Sequence, residues 1–284
     1  MIHTNGWRYD LEDKAFLAQA TAEPIPRSFS AAALPDEVRP DIGPDPHRLE
    51  NQSSMGSCQG HDIASCIEDL MWVAGGGNRI QLSNIFAYLA TQKIDGLLGS
   101  DRGSTISGGV KLAQNHGVCS LEYAPYPNPV RYPDDREIAR ILSPENYEAA
   151  KPYRIKKTYG IRSYDDAVKW IGGGGAISLG ISWPPIFAVN PEGRKVARRA
   201  AGSGGGHAIA VIGYRKTGNL IVANSHNYWF EIPADVFNSM LRQRYTVAIG
   251  VSDMAEPAPR KVSQVKESLD QWADDAVDGW ESES

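Results

Sequence analysis

The stretch NQSSMGSCQGHDIAS, residues 51–65, decides how the rest of the chain is read. Gln52 stands six residues ahead of Cys58, a Gly-Ser turn directly precedes the cysteine, and an apolar helical pattern follows it. The apolar residues Ile63, Ile67, Leu70, Met71 and Ala74 fall on one stripe of a helix. A thiol in the first turn of such a helix sees the positive end of the peptide dipoles, which favours thiolate. The ordinary reading of a cysteine here is a small buried apolar residue. The alternative is a nucleophile, and it requires a base, an orienting group and oxyanion donors elsewhere in the chain.

The chain holds six histidines, at positions 3, 47, 61, 116, 207 and 226. Only His207 opens a strongly apolar strand pattern, HAIAVIGY, and it follows the glycine-rich run GSGGG. The start of a strand is a rigid platform for a base, and glycines beside it leave room for a substrate backbone. Asn224 ends the next strand pattern, beyond a hairpin turn around residues 216–219, so paired strands would bring His207 and Asn224 together. The side-chain amide of Gln52 and the backbone N–H of Cys58 are the candidate oxyanion donors. Each of these residues alone has an ordinary structural explanation. The signal is the order Gln, Cys, His, Asn. Cys58 and His61 also have C-x-x-H spacing, but a zinc site there would need two further ligands, and no metal or cofactor is expected.

The surroundings suit one two-lobed body. Residues 1–33 are read as an extended N-terminal arm, because prolines are frequent in the first 50 residues and periodic apolar positions are few. Helices are expected from Cys58 to the GGG run at 75–77, from an N-cap at Ser83, and over Gly108–Asn115. Later come a helix from Asp165 and strands in AISLGIS (176–182), HAIAVIGY (207–214), NLIVANS (219–225), YWFEIP (228–233) and YTVAIGV (245–251). Helices followed by strands give an α+β class, with a helical lobe over about 50–145 and a β lobe over about 150–253 of a domain spanning 34–255. The basic cluster GRKVARRA, 193–200, is read as a solvated loop, or as a site for an acidic partner. Residues 256–284 form an acidic tail whose apolar positions Val262, Val265, Leu269, Trp272 and Ala276 trace an amphipathic helix. That stretch, about 262–280, packs as a helix on its own body, docks as a helix to a protein partner, or is disordered.

The net charge of −5 gives no reason to expect nucleic acid as a partner. No apolar run approaches the roughly 20 residues of a membrane helix, and the first residues do not have the pattern of a signal peptide. Three cysteines are too few and oddly numbered for a disulfide framework, which suggests a reducing compartment, the cytoplasm or the interior of a large assembly such as a phage particle.

Four stretches resemble the papain-like (C1-type) cysteine peptidases, in particular their compact bacterial and phage branch. GWRYDLED with LPDEVRPDI is similar to the N-terminal pattern of that branch. ENQSSMGSC is similar to its cysteine motif, GGVKLAQNHGVCSLEYAPYP to its "GG … GV-x-E … YPY" segment, and GGHAIAVIGY with LIVANS to its histidine and asparagine motifs. The resemblance spans residue 6 to about 235. It implies Cys58 as nucleophile, His207 as base, Asn224 as its orienting residue and Gln52 as oxyanion donor. It also implies a papain-like two-lobe fold, helical lobe against a barrel-like β lobe, with a peptide substrate in the cleft between them.

Three positions depart from the family pattern. Gln59 follows the nucleophile where Trp or Thr is usual. His226 replaces the Trp that normally shields the Asn–His hydrogen bond, so it would either cover that bond or perturb the charge of His207. Met55 stands where the secreted enzymes carry a disulfide cysteine. The arm is also shorter than a cathepsin propeptide, so an active protease would need another restraint. The resemblance therefore implies hydrolysis of peptide or isopeptide bonds through a thiolate–imidazolium pair. The alternatives are a weakly active or inactive papain-fold assembly component docking through its tail, and thiol chemistry on a cell-wall peptide crosslink or in amide transfer.

Overall fold

The computed structural model describes residues 6–9, 11–20, 34–38, 50–74, 80–200 and 205–254. The acidic tail with its expected amphipathic helix lies outside the described residues, as do His3, His47 and the GGG run at 75–77.

The α-helices are α1 (Leu11–Ala20), α2 (Cys58–Ala74), α3 (Asn84–Ile94), α4 (Ile106–Asn115), α5 (Asp135–Ile141), α6 (Pro144–Ala150), α7 (Tyr164–Gly172) and α8 (Ala234–Leu241). The strands are β1 (Ile155–Gly160), β2 (Ala176–Ser182), β3 (Ile186–Val189), β4 (Lys195–Arg199), β5 (Gly206–Tyr214), β6 (Leu220–Ala223), β7 (Phe230–Ile232) and β8 (Val247–Met254). They form one mixed sheet in the order β1-β8-β2-β5-β6-β7-β4-β3. The pairs are antiparallel except β4 with β7. The α+β class read from the sequence is the class observed.

The sheet separates two cores. One face, with Ala208, Ala210, Ile221 and Ile249, packs on α2, α3 and α4 through Ile63, Ile67, Phe86, Leu89 and Val110. The other face, with Ile177, Leu179, Ile209 and Val211, is covered by α7 and α8 through Trp170, Ile171, Val236 and Phe237. Alternate residues of β5 therefore serve different cores, as the period of two along a strand requires. This explains why HAIAVIGY is apolar throughout rather than alternating: both of its faces are buried.

The helix caps follow their sequence signals. Ser83 caps α3 by accepting from the Phe86 N–H at 3.1 Å. Thr105 caps α4, which begins two residues before the expected Gly108, and Ser163 caps α7 one residue before the expected Asp165. The first 33 residues are not uniformly extended, because they contain α1. That helix packs on β1, β8 and α4, and its buried Asp13 accepts the Ser107 N–H at 2.7 Å in the first turn of α4. The basic cluster is not a loop either. Residues 195–199 form β4, with Val196 and Ala197 buried, Lys195 and Arg194 half-buried, and Arg198 and Arg199 exposed.

Candidate active site

Cys58 is the first residue of α2 and is fully buried. Its Sγ accepts the backbone N–H of Ala208 at 3.4 Å, which fixes the start of α2 against the start of β5. His207 lies one rung inside the end of β5, paired with Ile181 of β2. Asn224 follows the last residue of β6, and β5 and β6 are antiparallel neighbours. The hairpin thus brings the two side chains together: His207 Nε2 and Asn224 Oδ1 are 2.8 Å apart. An amide oxygen only accepts, so Nε2 carries the proton and Nδ1 is left as the basic nitrogen.

Gln52 is buried in the turn before α2. Its Nε2 donates to Met55 O at 2.8 Å, and its Oε1 accepts from Ser225 Oγ at 2.5 Å. One amide hydrogen of Gln52 remains for another acceptor. The backbone holds the same two segments together, with Gln52 N–H donating to Ser225 O and Asn227 N–H to Glu50 O, each at 2.9 Å. All four residues singled out in the sequence therefore sit around one point, where the two lobes meet.

The positions that depart from the family pattern have local explanations. Gln59 is buried, accepts from Ser104 Oγ at 3.1 Å, and occupies the space a Cβ on Gly109 would fill, at 1.5 Å from its Nε2. Only glycine at position 109 admits this side chain. His226 stacks on His207, with ring centroids 4.6 Å apart and planes 15° from parallel. Trp183 leans on both rings, at 4.3 Å from His207 and 5.5 Å from His226. Met55 is buried under the Tyr126 hydroxyl, and the three cysteines are free thiols. His61 is held by Glu50, whose Oε2 lies 2.6 Å from His61 Nδ1.

The N-terminal segment was missed by sequence reasoning as part of the site. Gly6 lies so close over the thiol that a Cβ on it would stand 2.5 Å from Cys58 Sγ and 2.8 Å from Gly56 O. Ser104 N–H donates to Gly6 O at 3.0 Å and Arg8 N–H donates to Ser104 O at 2.9 Å, a parallel bridge across Trp7. The Trp7 indole is buried on Gly180 and Gly206, where an added Cβ would approach its ring carbons to 2.5 and 2.8 Å. The available signal was a Gly-Trp pair early in the chain, matched by glycines at 180 and 206 that no turn in the strands requires. The segment read as an extended arm thus lies directly over the candidate nucleophile.

Burial shifts both reactive groups. Desolvation pushes the Cys58 thiol up to about 12, with the nearby Asp62 adding to the effect and the Ala208 N–H opposing it. Desolvation, followed by the charge of a protonated His226, pushes His207 down to about 3, against the opposing pull of the Asn224 bond. Both shifts favour the neutral thiol and the neutral imidazole, and burial thereby opposes the thiolate that the helix dipole favours.

No sequence-family model matches the chain, and no curated protein does. Solved structures do. Xylellain, a cysteine protease from Xylella fastidiosa, is similar over 88% of this chain and 96% of its own, with a TM-score of 0.65 and 19% identity. The chain has the papain-like fold. Digestive procathepsin L 3 of Tenebrio molitor larval midgut matches 85% of this chain and 79% of its own, with a TM-score of 0.58 and 15% identity. ProCathepsin B S9 from Trypanosoma congolense matches 84% and 82%, with a TM-score of 0.55 and 16% identity. Among the described residues, no helix is long and apolar enough to cross a membrane.

Proposed function

We propose that this protein is a papain-like cysteine peptidase whose cleft is covered by its own N-terminal segment. The observation that carries the reading is the arrangement of Cys58 Sγ on the Ala208 N–H beside a His207 whose Nε2 is held by Asn224 Oδ1. It leaves Nδ1 as the nitrogen available to the thiol. In the uncovered cleft, water restores the conditions for charge separation, and Cys58 passes its proton to His207. The thiolate attacks a peptide or isopeptide carbonyl, and the developing oxyanion is held by the Cys58 N–H and the remaining amide hydrogen of Gln52. His207 gives its proton to the leaving amine and then activates the water that clears the thioester. The pocket now holding Trp7 has glycines at positions 180 and 206, which suits a substrate with a large aromatic side chain at that place. Protein and peptide are the substrate class, and the two proenzymes among the similar structures support a covered resting state.

The test is labelling of the full chain with an epoxide-type thiol probe, located by mass spectrometry, together with peptide hydrolysis by Trp7→Ala. In Trp7→Ala, labelling at Cys58 alone that is lost on adding His207→Ala, and turnover that falls ~10²–10³-fold on adding Gln52→Ala, are the expected results. Labelling of Cys58 no faster than of Cys66 or Cys119, even with Trp7 removed, would sink the reading. That outcome favours the second one, a papain-fold assembly component with a vestigial site, for which the complete burial of Cys58 speaks.

A further inference from the structure

His226 does more than fill space beside His207. It packs flat against that ring, Trp183 closes over both, and the backbone of residue 226 is bridged to Asn51. Among the described residues its buried Nε2 has no hydrogen-bond partner. A neutral aromatic ring there would only exclude water from the His207–Asn224 bond, whereas an imidazole excludes water and can also take up a proton. Two stacked imidazoles at this distance cannot both be charged cheaply, so they titrate as a pair.

We infer that His226 is a positioning residue for His207, covering the His207–Asn224 bond while neutral and, once protonated, opposing the imidazolium on which the chemistry depends. The inference rests on the peptidase reading above. The groups facing the stacked pair are His61 from α2 with Glu50 on its Nδ1, Cys58 at the start of α2 with Asp62 behind it, and Tyr228 on the Asn224 side. His61 adds to the opposition: a charge on it disfavours protonation of both rings. Burial, first, and then His61 lower the His226 pKa from its ordinary value, so the loss of activity falls on the acid side.

The experiment is a histidine ring titration by NMR on the full chain, in wild type, His226→Trp and His226→Gln, with His207 assigned by His207→Gln. Tryptophan keeps the cover and removes the charge. The expected result is a rise of about one pH unit in the His207 midpoint in His226→Trp, and loss of the two-step curve. A purely covering role predicts no rise, since indole covers at least as well. A His207 curve that is the same in wild type and His226→Trp overturns the inference. The acid limb of Cys58 alkylation should likewise extend to lower pH in His226→Trp. Failure of the peptidase reading has a different signature: Cys58 alkylation unaffected by His207→Ala, whatever the His226 variants do.

Discussion

Two lengths of the N-terminal segment meet the body by the same kind of contact, to different ends. Val38 forms an antiparallel bridge with Tyr214 at the end of β5, with backbone hydrogen bonds of 2.9 and 3.1 Å, and the Tyr214 hydroxyl donates to Pro35 O at 2.7 Å. Gly6 and Arg8 bridge Ser104 with bonds of 3.0 and 2.9 Å. At residue 38 the chain is fastened to the sheet far from any chemistry. At residue 6 it is laid over a thiol, and its main apolar contact is one indole on two glycines. Hydrogen bonds of similar length therefore say little about role. What separates the two lengths is what each covers.

The largest effect should come from Trp7→Ala. Emptying a buried tryptophan site costs about 3–5 kcal/mol, which corresponds to a rise of up to about 10²–10⁴-fold in the labelling rate of Cys58 by a thiol epoxide. Labelling that stays at the wild-type rate would mean that Trp7 does not hold the cover. Gly6→Ala should act in the same direction and more weakly, about tenfold, because its Cβ meets Cys58 Sγ and backbone at Gly56 that cannot yield. A third test loads the cleft side with acid. The His207 pKa falls from 6.5 in an open chain to about 3 when folded, so the unfolded chain binds the extra proton between these values. Stability from this group is complete above about pH 6.5 and is lost as pH falls toward 3, at a rate of up to about 1.4 kcal/mol per pH unit. The difference between the urea midpoints of wild type and His207→Gln should be constant above that window and change across it. The smallest effect belongs to the fastening: Val38→Pro removes the donor to Tyr214 O, costs about 1 kcal/mol of stability, and leaves Cys58 labelling unchanged. Faster labelling in that variant would erase the distinction between the two lengths.

Much of the architecture was legible because it rests on short-range signals. The apolar stripe after Cys58, the Ser83 cap and the unbroken apolar runs of β2, β5 and β8 are written in consecutive residues. The His207–Asn224 pairing was legible because only a hairpin turn separates β5 from β6. α1 was obscured by a segment with weak amphipathicity, and β4 by four basic residues around its two buried positions, Val196 and Ala197. The covering of Cys58 was not legible, since it depends on Gly6 and Trp7, Ser104, Gly180 and Gly206 meeting from four distant places in the chain. Nor was the neutral state of the site. A helix dipole can be read from a cysteine's position, but the burial that opposes it exists only in the folded chain.

The ladder between residues 50–52 and 225–227 has a mechanical consequence. It stitches the loop that carries Gln52 to the loop that carries Asn224 and His226, behind the point where Cys58 and His207 face each other. The two lobes are bound there like the pages of a book along its spine, and the bridge of Gly6 and Arg8 to Ser104 is a clasp across the fore-edge. The clasp shares no hydrogen bond with the spine, so lifting it away from Cys58 breaks none of the bonds in the ladder.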